Sequence, residues 1–379
     1  MPATYSHHRS NTDATLFVAF ELGWTKWRLA FGTGIGRRAV QKSIAARDLD
    51  ALTQEIERAK KRFELPEEVG VVSCYEAGRD GFWLHRYLQQ ADIRNQVVDS
   101  SSIEVNRRQR RAKSDRLDAA KLLTMLMRYE AGERGVWSVV NAPGLQDETA
   151  RHLHRDLMTL KKDRARHSNR IKGWLAGCGL QVQVDKGLLE LIPTLRLWDG
   201  SSVADELQRR IEREFARWQL ADRQIRDVEN ERARIIRNSL DANVEKVRQL
   251  EHLRGIGSNS AWLYVMEFFG WREIRNRRQL GSLAGLTPTP HDSGTMRREQ
   301  GISKAGNRRI RAMAIEIAWG WLRFQPDSEL SRWYRRRFGE GSTRLRKIGI
   351  VALARKLLIK LWQYLETGAI PEGALLKPR

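Results

Sequence analysis

The chain has 379 residues, 41% hydrophobic with 13 Trp, which excludes a disordered basic tail and favours two or three domains over one small core. Its 68 Lys+Arg against 46 Asp+Glu give a formal net charge of +22 and a pI near 10.5, pointing to a polyanionic partner. No apolar stretch approaches the ~20 residues that span a bilayer, the amino terminus lacks an apolar signal core, and Cys74 and Cys178 lie too far apart to read as a disulfide framework or zinc site, so the expected setting is the cytoplasm, at the nucleoid, with no membrane partner.

In chain order, residues 14–145 read as α/β. Leu16–Phe20 is a continuous apolar run ending at Glu21, the pattern of a buried strand, and Trp27–Phe31 alternates like a hairpin partner after Gly23. Residues 48–63 carry helical spacing, Val69–Tyr75 is a second buried-type strand ending at Glu76, and Phe82–Leu88 is a helix. A short strand at Gln96–Val98 precedes a helix that starts near Asp115 and runs through Met127. Alternating strands and helices predict a sheet with helices on its faces.

Residues 146–240 change character. Leu153 to Trp174 spaces as one long helix, and Ala204 to Ile235 keeps a heptad pattern weakened at Glu214 and Arg232. The pair reads as a helical hairpin or coiled coil, with an intramolecular seam and a dimer seam both open. Residues 241–379 are helix-rich: Leu250–Gly257, a loop from Thr287 to Gly301, a helix from Ser303 to Phe324, and a last helix from Ile350 to Leu365 stopped at Gly368.

The chemistry concentrates in two places. Asp115 and Asp118 are three residues apart and follow Arg107, Arg108, Arg110, Arg111 and Lys113; with Ser114 as cap they share one helical face. Adjacent carboxylates repel unless a cation sits between them. Glu21 and Glu76 each emerge at the carboxyl end of a strand, where open α/β sheets collect catalytic groups. Four convergent acids suit Mg²⁺, and the arginines suit phosphate, so metal-dependent phosphodiester chemistry is expected. The plainer alternative is a solvated helix start and capped strand ends.

The second place is His291-Asp-Ser-Gly. Ser293 lies between Asp292 and Gly294, with Arg297 and Arg298 close behind, which supplies a hydroxyl nucleophile and cationic charge for a phosphodiester. A Ser-Gly turn whose arginines only touch phosphate fits the same residues. Ser303 reads as the cap of the next helix, which with Lys304 presents Arg308, Arg309 and Arg311 outward and Ile310, Met313, Ile317 and Trp321 inward. Gly255 and Gly257 in Leu253-Arg-Gly-Ile-Gly resemble a hairpin that lets amides approach phosphate.

Tyr75-Glu-Ala-Gly, Lys113-Ser-Asp-Arg-Leu-Asp-Ala, Leu253-Arg-Gly-Ile-Gly, Leu283-Ala-Gly-Leu-Thr-Pro, His291-Asp-Ser-Gly and Ile302-Ser-Lys-Ala-Gly-Asn occur in that order. Together they resemble the DEDD-type insertion-sequence transposases, the bridge-RNA-guided serine recombinases, over nearly the whole chain. The resemblance implies an RNase H-like (RuvC-like) domain at 14–145, a coiled-coil insertion at 146–240 and a transposase domain at 241–379. It carries the family's second to fourth acids to Glu76, Asp115 and Asp118 and its nucleophile to Ser293. The family's first acid is Asp, whereas this chain has Glu21, one methylene longer, or roughly 1.5 Å. It further implies donor and target DNA, a guide RNA that reads sequence by pairing, and homodimers assembling to a tetramer with composite sites. The competing readings are a junction-resolving nuclease that uses the acids and a metal-activated water, and a non-catalytic nucleic-acid scaffold.

Overall fold

The computed structural model describes residues 14–103, 115–293 and 296–378, without the side chains of 115–116 and 290–300. Arg107, Arg108, Arg110, Arg111, Lys113, Ser114 and Gly294 lie outside the described residues. The chain forms two compact units, one up to Pro143 and one from Gly144.

In the first unit, Thr15–Leu22 (β1), Lys26–Gly32 (β2) and Val40–Ala45 (β3) form an antiparallel meander. Gly70–Glu76 (β4) pairs parallel to β1, and Arg94–Val98 (β5) parallel to β4, giving the order β3-β2-β1-β4-β5. The central strands are apolar on both faces because helices cover both. Leu16, Val18 and Phe20 of β1 and Val71 and Tyr75 of β4 pack on Leu52 and Ile56 of α1 (Leu49–Arg62) and Leu84 and Leu88 of α2 (Trp83–Gln90). Ala19, Val72, Cys74 and Val98 point the other way, onto Ala119, Leu122, Leu123 and Leu126 of α3 (Asp115–Glu130). Every element expected here is present, and β3 is additional. Its only buried residue is Ile44, so its apolar signal is too thin to read.

The second unit begins with α4 (Leu145–Gly177), the single turn α5 (Leu188–Leu191) and α6 (Asp205–Asn238). Ile171 and Leu175 of α4 meet Ile211, Phe215 and Trp218 of α6, so the seam is intramolecular. Glu214 and Arg232, which weaken the heptad pattern, are both buried and partnered. His167, Arg170 and Arg217 all bond the Glu214 carboxylate at 2.7–2.8 Å, and Arg232 donates to Asn259 Oδ1 at 3.1 Å. Burial alone would raise the Glu214 pKa, but those hydrogen bonds hold it down to about 2.

There follow α7 (Ala242–Glu251), α8 (Ser258–Tyr264), a π-turn at Val265–Phe269, α9 (Arg277–Leu283), the hairpin β6 (Pro288–Ser293) and β7 (Met296–Ile302), then α10 (Arg308–Phe324), α11 (Glu329–Phe338) and α12 (Thr343–Thr367). Trp321, Ile310, Leu353, Leu357, Phe268 and Leu250 share one core. α12 stops at Gly368 in the left-handed conformation (φ 73°), as expected, but starts at Thr343 rather than Ile350 because Ser342 caps it.

Two expectations are corrected here. Thr287–Gly301 is mostly a β-hairpin rather than a shaped loop. A two-stranded ribbon has free edges, so Pro288 and Pro290 can sit in it, with the register shifting between them. Ser303 does not cap α10. Asn307 does, accepting from Arg309 N and Ile310 N, while Ser303 N donates to Thr287 O at 2.8 Å and ties off the hairpin base.

Candidate active site and nucleic-acid interface

β1 and β4 run in parallel, and their last registered pair is Phe20 with Tyr75. The next residues, Glu21 and Glu76, therefore stand side by side at the carboxyl edge, about 4.8 Å apart along the sheet. Side chains alternate along a strand, so Glu21 falls on the face of Phe17 and Ala19, and Glu76 on that of Val72 and Cys74. That is the face covered by α3. Arg28 of β2 is registered opposite Glu21.

α3 runs antiparallel to β1. Its middle lies over β4, where Cys74 Sγ is 3.9 Å from Leu122 O. Leu123 and Met127 crowd Gly32, which pairs with Phe17 near the start of β1. Glu130, at the far end of α3, bonds Arg94 and Gln96 at the start of β5. The amino-terminal turn of α3, with Asp115 and the half-buried Asp118, consequently sits toward the edge that carries Glu21 and Glu76. Asp118 lies one turn before Leu122, roughly 6 Å along the axis. Among the described residues no three His, Cys, Asp or Glu side chains are grouped tightly enough to hold a metal ion; the Asp115 side chain is outside that set. The donors at this rim are carboxylate oxygens, the ligand type that Mg²⁺ takes.

Ser293 is the last residue of β6 and is registered opposite Met296, with His291 opposite Arg298 and Asp292 opposite Arg297. The hairpin places the serine at its tip and both arginines on the returning strand. Its base is fastened by the two motifs that flank it. Asn307 N donates to Leu283 O (2.8 Å), Lys304 N to Gly285 O (3.2 Å), and Arg311 Nη1 to Lys304 O (2.9 Å). Gly306 adopts φ +109°, and a Cβ there would meet Leu283 O at 2.4 Å, so only glycine allows this closure. Arg311 is thus a structural clamp rather than an outward phosphate ligand, whereas Lys304, Arg308 and Arg309 are exposed.

Gly255 turns the chain between α7 and α8 with φ +88°, and a Cβ there would meet Phe324 Cβ at 3.1 Å. The neighbouring amides serve the chain itself: Arg254 N donates to Leu375 O and Gly257 N to Ser260 Oγ.

A buried charge cluster went unread in the sequence. Glu267, on the π-turn and 2% exposed, receives Arg155 Nε at 2.7 Å and Nη2 at 3.1 Å. Burial pushes its carboxyl up, but Arg155, Arg151 and Arg309 pull it below the usual range. Arg272 stacks on Trp271 at 4.1 Å, and its pKa falls to about 10 through burial and the Arg151 charge. The helical spacing of α4 hid Arg151, His154 and Arg155 among ordinary surface positions, because Glu267 and Arg232, which bear on them, come from far along the chain. His154 is buried, and burial followed by the Arg232 charge lowers its pKa to about 4, with Arg309 and Lys161 adding less and Glu267 opposing them. The unfolded chain protonates this imidazole below about 6.5, the folded one only near 4, so its contribution to stability is present above pH 6.5 and is lost on acidification. Denaturant titrations should show a loss of about 2 kcal/mol from this residue between pH 7.5 and pH 5. His154→Leu should remove that part of the pH slope; an unaltered slope would assign the loss to other groups.

The sequence profile of the IS116/IS110/IS902 transposase family matches residues 247–333, from α7 through the hairpin and α10 into α11. A Sinorhizobium fredii protein named as transposase y4rJ is 36% identical over 96% of this chain and 94% of its own length. The chain belongs to this transposase family. The Coxiella burnetii transposase for insertion sequence element IS1111A is 23% identical over 68% of this chain and 67% of its own, and the Yersinia enterocolitica transposase for element IS1328 is 23% identical over 60% and 66%. As a member, the protein is an enzyme of DNA transposition or recombination. No helix among the described residues is long and apolar enough to cross a membrane.

Proposed function

We propose that this transposase is an RNA-guided DNA recombinase that cuts one strand by attack of Ser293 Oγ on a DNA phosphodiester. The serine hydroxyl gives up its proton as the Oγ–P bond forms and the P–O3′ bond breaks, leaving a 5′-phosphoserine and a 3′-oxygen that takes up a proton in its place. Glu21, Glu76, Asp115 and Asp118 form the acidic rim of an RNase H-like domain, a reading supported by the order β3-β2-β1-β4-β5 with three antiparallel and two parallel-added strands. When bound there, Mg²⁺ supplies charge neutralisation for the reacting phosphate. The observation that carries the proposal is the shared edge and face of Glu21 and Glu76 beneath the start of α3.

Exposed positive charge supports nucleic-acid binding. Arg308 and Arg309 extend exposed from α10, and α11 ends in Arg335, Arg336 and Arg337, a phosphate-binding surface. The resemblance to the bridge-RNA-guided recombinases implies in addition a guide RNA that pairs with donor and target DNA, and a tetramer built from dimers. The test is label transfer. Protein with its co-purifying RNA and phosphate-labelled donor DNA should yield a denaturant-resistant labelled protein in Mg²⁺ and none in EDTA. Metal-dependent nicking without label on the protein would favour the junction-nuclease reading.

A further inference from the structure

Three loops meet at the carboxyl edge of the sheet, around an indole that the carboxylate rim does not use. Gly23 makes the β1–β2 turn, donating to Lys26 O at 3.1 Å; a Cβ there would meet that same oxygen at 2.4 Å. The turn lifts Trp24 into solvent, 64% exposed, three residues after Glu21. Arg47, at the corner between β3 and α1, donates to Trp24 O at 3.3 Å and to Asp80 Oδ1 at 3.1 Å, and its guanidinium lies 4.7 Å from the Trp24 ring centroid. Arg79, three residues after Glu76, lies 4.7 Å from the same centroid. Among the described residues, Arg79 makes no hydrogen bond or ion pair.

The two arginines therefore differ. Arg47 fixes the platform, whereas the exposed Arg79 has its guanidinium beside the indole and its five N–H donors without an acceptor among the described residues. A singly exposed Trp is ordinary by itself, but beside this one stands an exposed guanidinium with free donors, which fits a phosphate. Aromatic surface beside phosphate-seeking arginine is the chemistry that binds an unpaired nucleotide: the ring stacks on the base, and the cation takes the backbone. A duplex would bury its bases from Trp24 and gain only the charge.

We propose that Trp24 and Arg79 form a docking platform for an unpaired stretch of DNA strand beside the carboxylate rim, stacking one base and holding one phosphate. The proposal rests on the strand-cutting role assigned to that rim. It separates the strand to be cut from its partner next to the acids, a function distinct from metal binding.

The full-length protein should be titrated, in EDTA so that no cutting intervenes, with a single-stranded DNA oligonucleotide carrying 2-aminopurine, with the matching duplex, and with an RNA of the same sequence. Trp24→Ala should weaken the single-stranded DNA about tenfold and abolish most of the 2-aminopurine quenching that stacking causes. Trp24→Phe should retain most of both. Arg79→Ala, at an exposed position whose loss leaves no partner stranded, should lower the log–log salt slope by about 0.7, one single-strand phosphate contact. Duplex affinity should change less than twofold in Trp24→Ala and Trp24→Phe, whose indole a duplex does not reach. Unchanged single-strand binding in both Trp24→Ala and Arg79→Ala overturns the proposal, as does an equal loss on duplex in Trp24→Ala. A loss confined to the RNA overturns DNA as the occupant. Because binding is read without metal, these results stand apart from whether Asp118 variants still cut.

Discussion

Ser293→Ala should eliminate the covalent protein–DNA species and all recombination. The substitution removes the only atom able to form the phosphoserine bond, so the expected residual activity is background rather than a reduced rate. Folding should survive, because the hairpin backbone pairing of Ser293 with Met296 does not need the hydroxyl. Nucleic-acid affinity should change little, since Arg308, Arg309 and the α11 arginines remain exposed. Ser293→Cys could keep a trace of adduct through its thiolate. Ser303→Ala is the informative control. Ser303 contributes a backbone amide to Thr287 O and is not the α10 cap, so its hydroxyl should be dispensable for stability and adduct formation. Asn307→Ala, by contrast, should cost about 1 kcal/mol of stability as a lost cap. Gel electrophoresis of labelled complexes in denaturant reads the outcome. An adduct that persists in Ser293→Ala and disappears in Ser303→Ala would move the nucleophile to Ser303.

The sheet was legible because its two central strands carry unbroken apolar runs that end abruptly at Glu21 and Glu76. β3 was not, since an edge strand with one buried residue has no pattern to show. The hairpin around Ser293 was hidden by its prolines and glycines, which are turn signals in isolation; only the partner strand at Met296–Ile302 makes them compatible with a ladder. Asn307 and Ser303 are both good caps by residue type, and which of them caps α10 depends on where Gly285 and Gly306 allow the chain to close. Glu214 and Arg232 looked like flaws in a heptad. Each instead belongs to a buried polar arrangement whose partners are set by tertiary packing.

For the candidate site, spacing identified the acids, but their convergence required topology. Nothing local to Asp118 says that α3 runs antiparallel to β1, and this direction brings its first turn to the edge holding Glu21 and Glu76. Trp24 and Arg79 carried no signal at all as sequence. Each follows its acid by three residues on a different strand, and only the parallel pairing of β1 with β4 makes them neighbours.

Asp118→Asn should lower Mg²⁺-dependent strand cleavage roughly a thousandfold or more, through loss of a charged oxygen ligand at nearly constant volume. Asp118 is half-buried one turn before Leu122, and the apolar contacts of α3 with the sheet begin at Ala119, so the helix should dock as before. Thermal stability should hold or rise slightly, because removing one anion relieves repulsion at the rim in the absence of metal. Affinity for nucleic acid should be unchanged or marginally higher for the same reason. The combination of lost cleavage and kept binding separates a metal ligand from a residue that merely caps a helix, whose replacement by Asn would cost little in either assay. Glu21→Asp probes the same rim from the opposite side. Glu21 projects one methylene further than the Asp expected from the resemblance, on the face of Ala19 and registered with Arg28. If the rim holds Mg²⁺ in near-octahedral geometry, shortening this ligand should leave cleavage equal or faster. A severe loss would show that the β1 edge is built around glutamate. Cleavage by Asp118→Asn at the parent rate, measured in initial-rate assays across Mg²⁺ concentrations, would remove the metal site from the mechanism and leave Ser293 to act with its arginines alone.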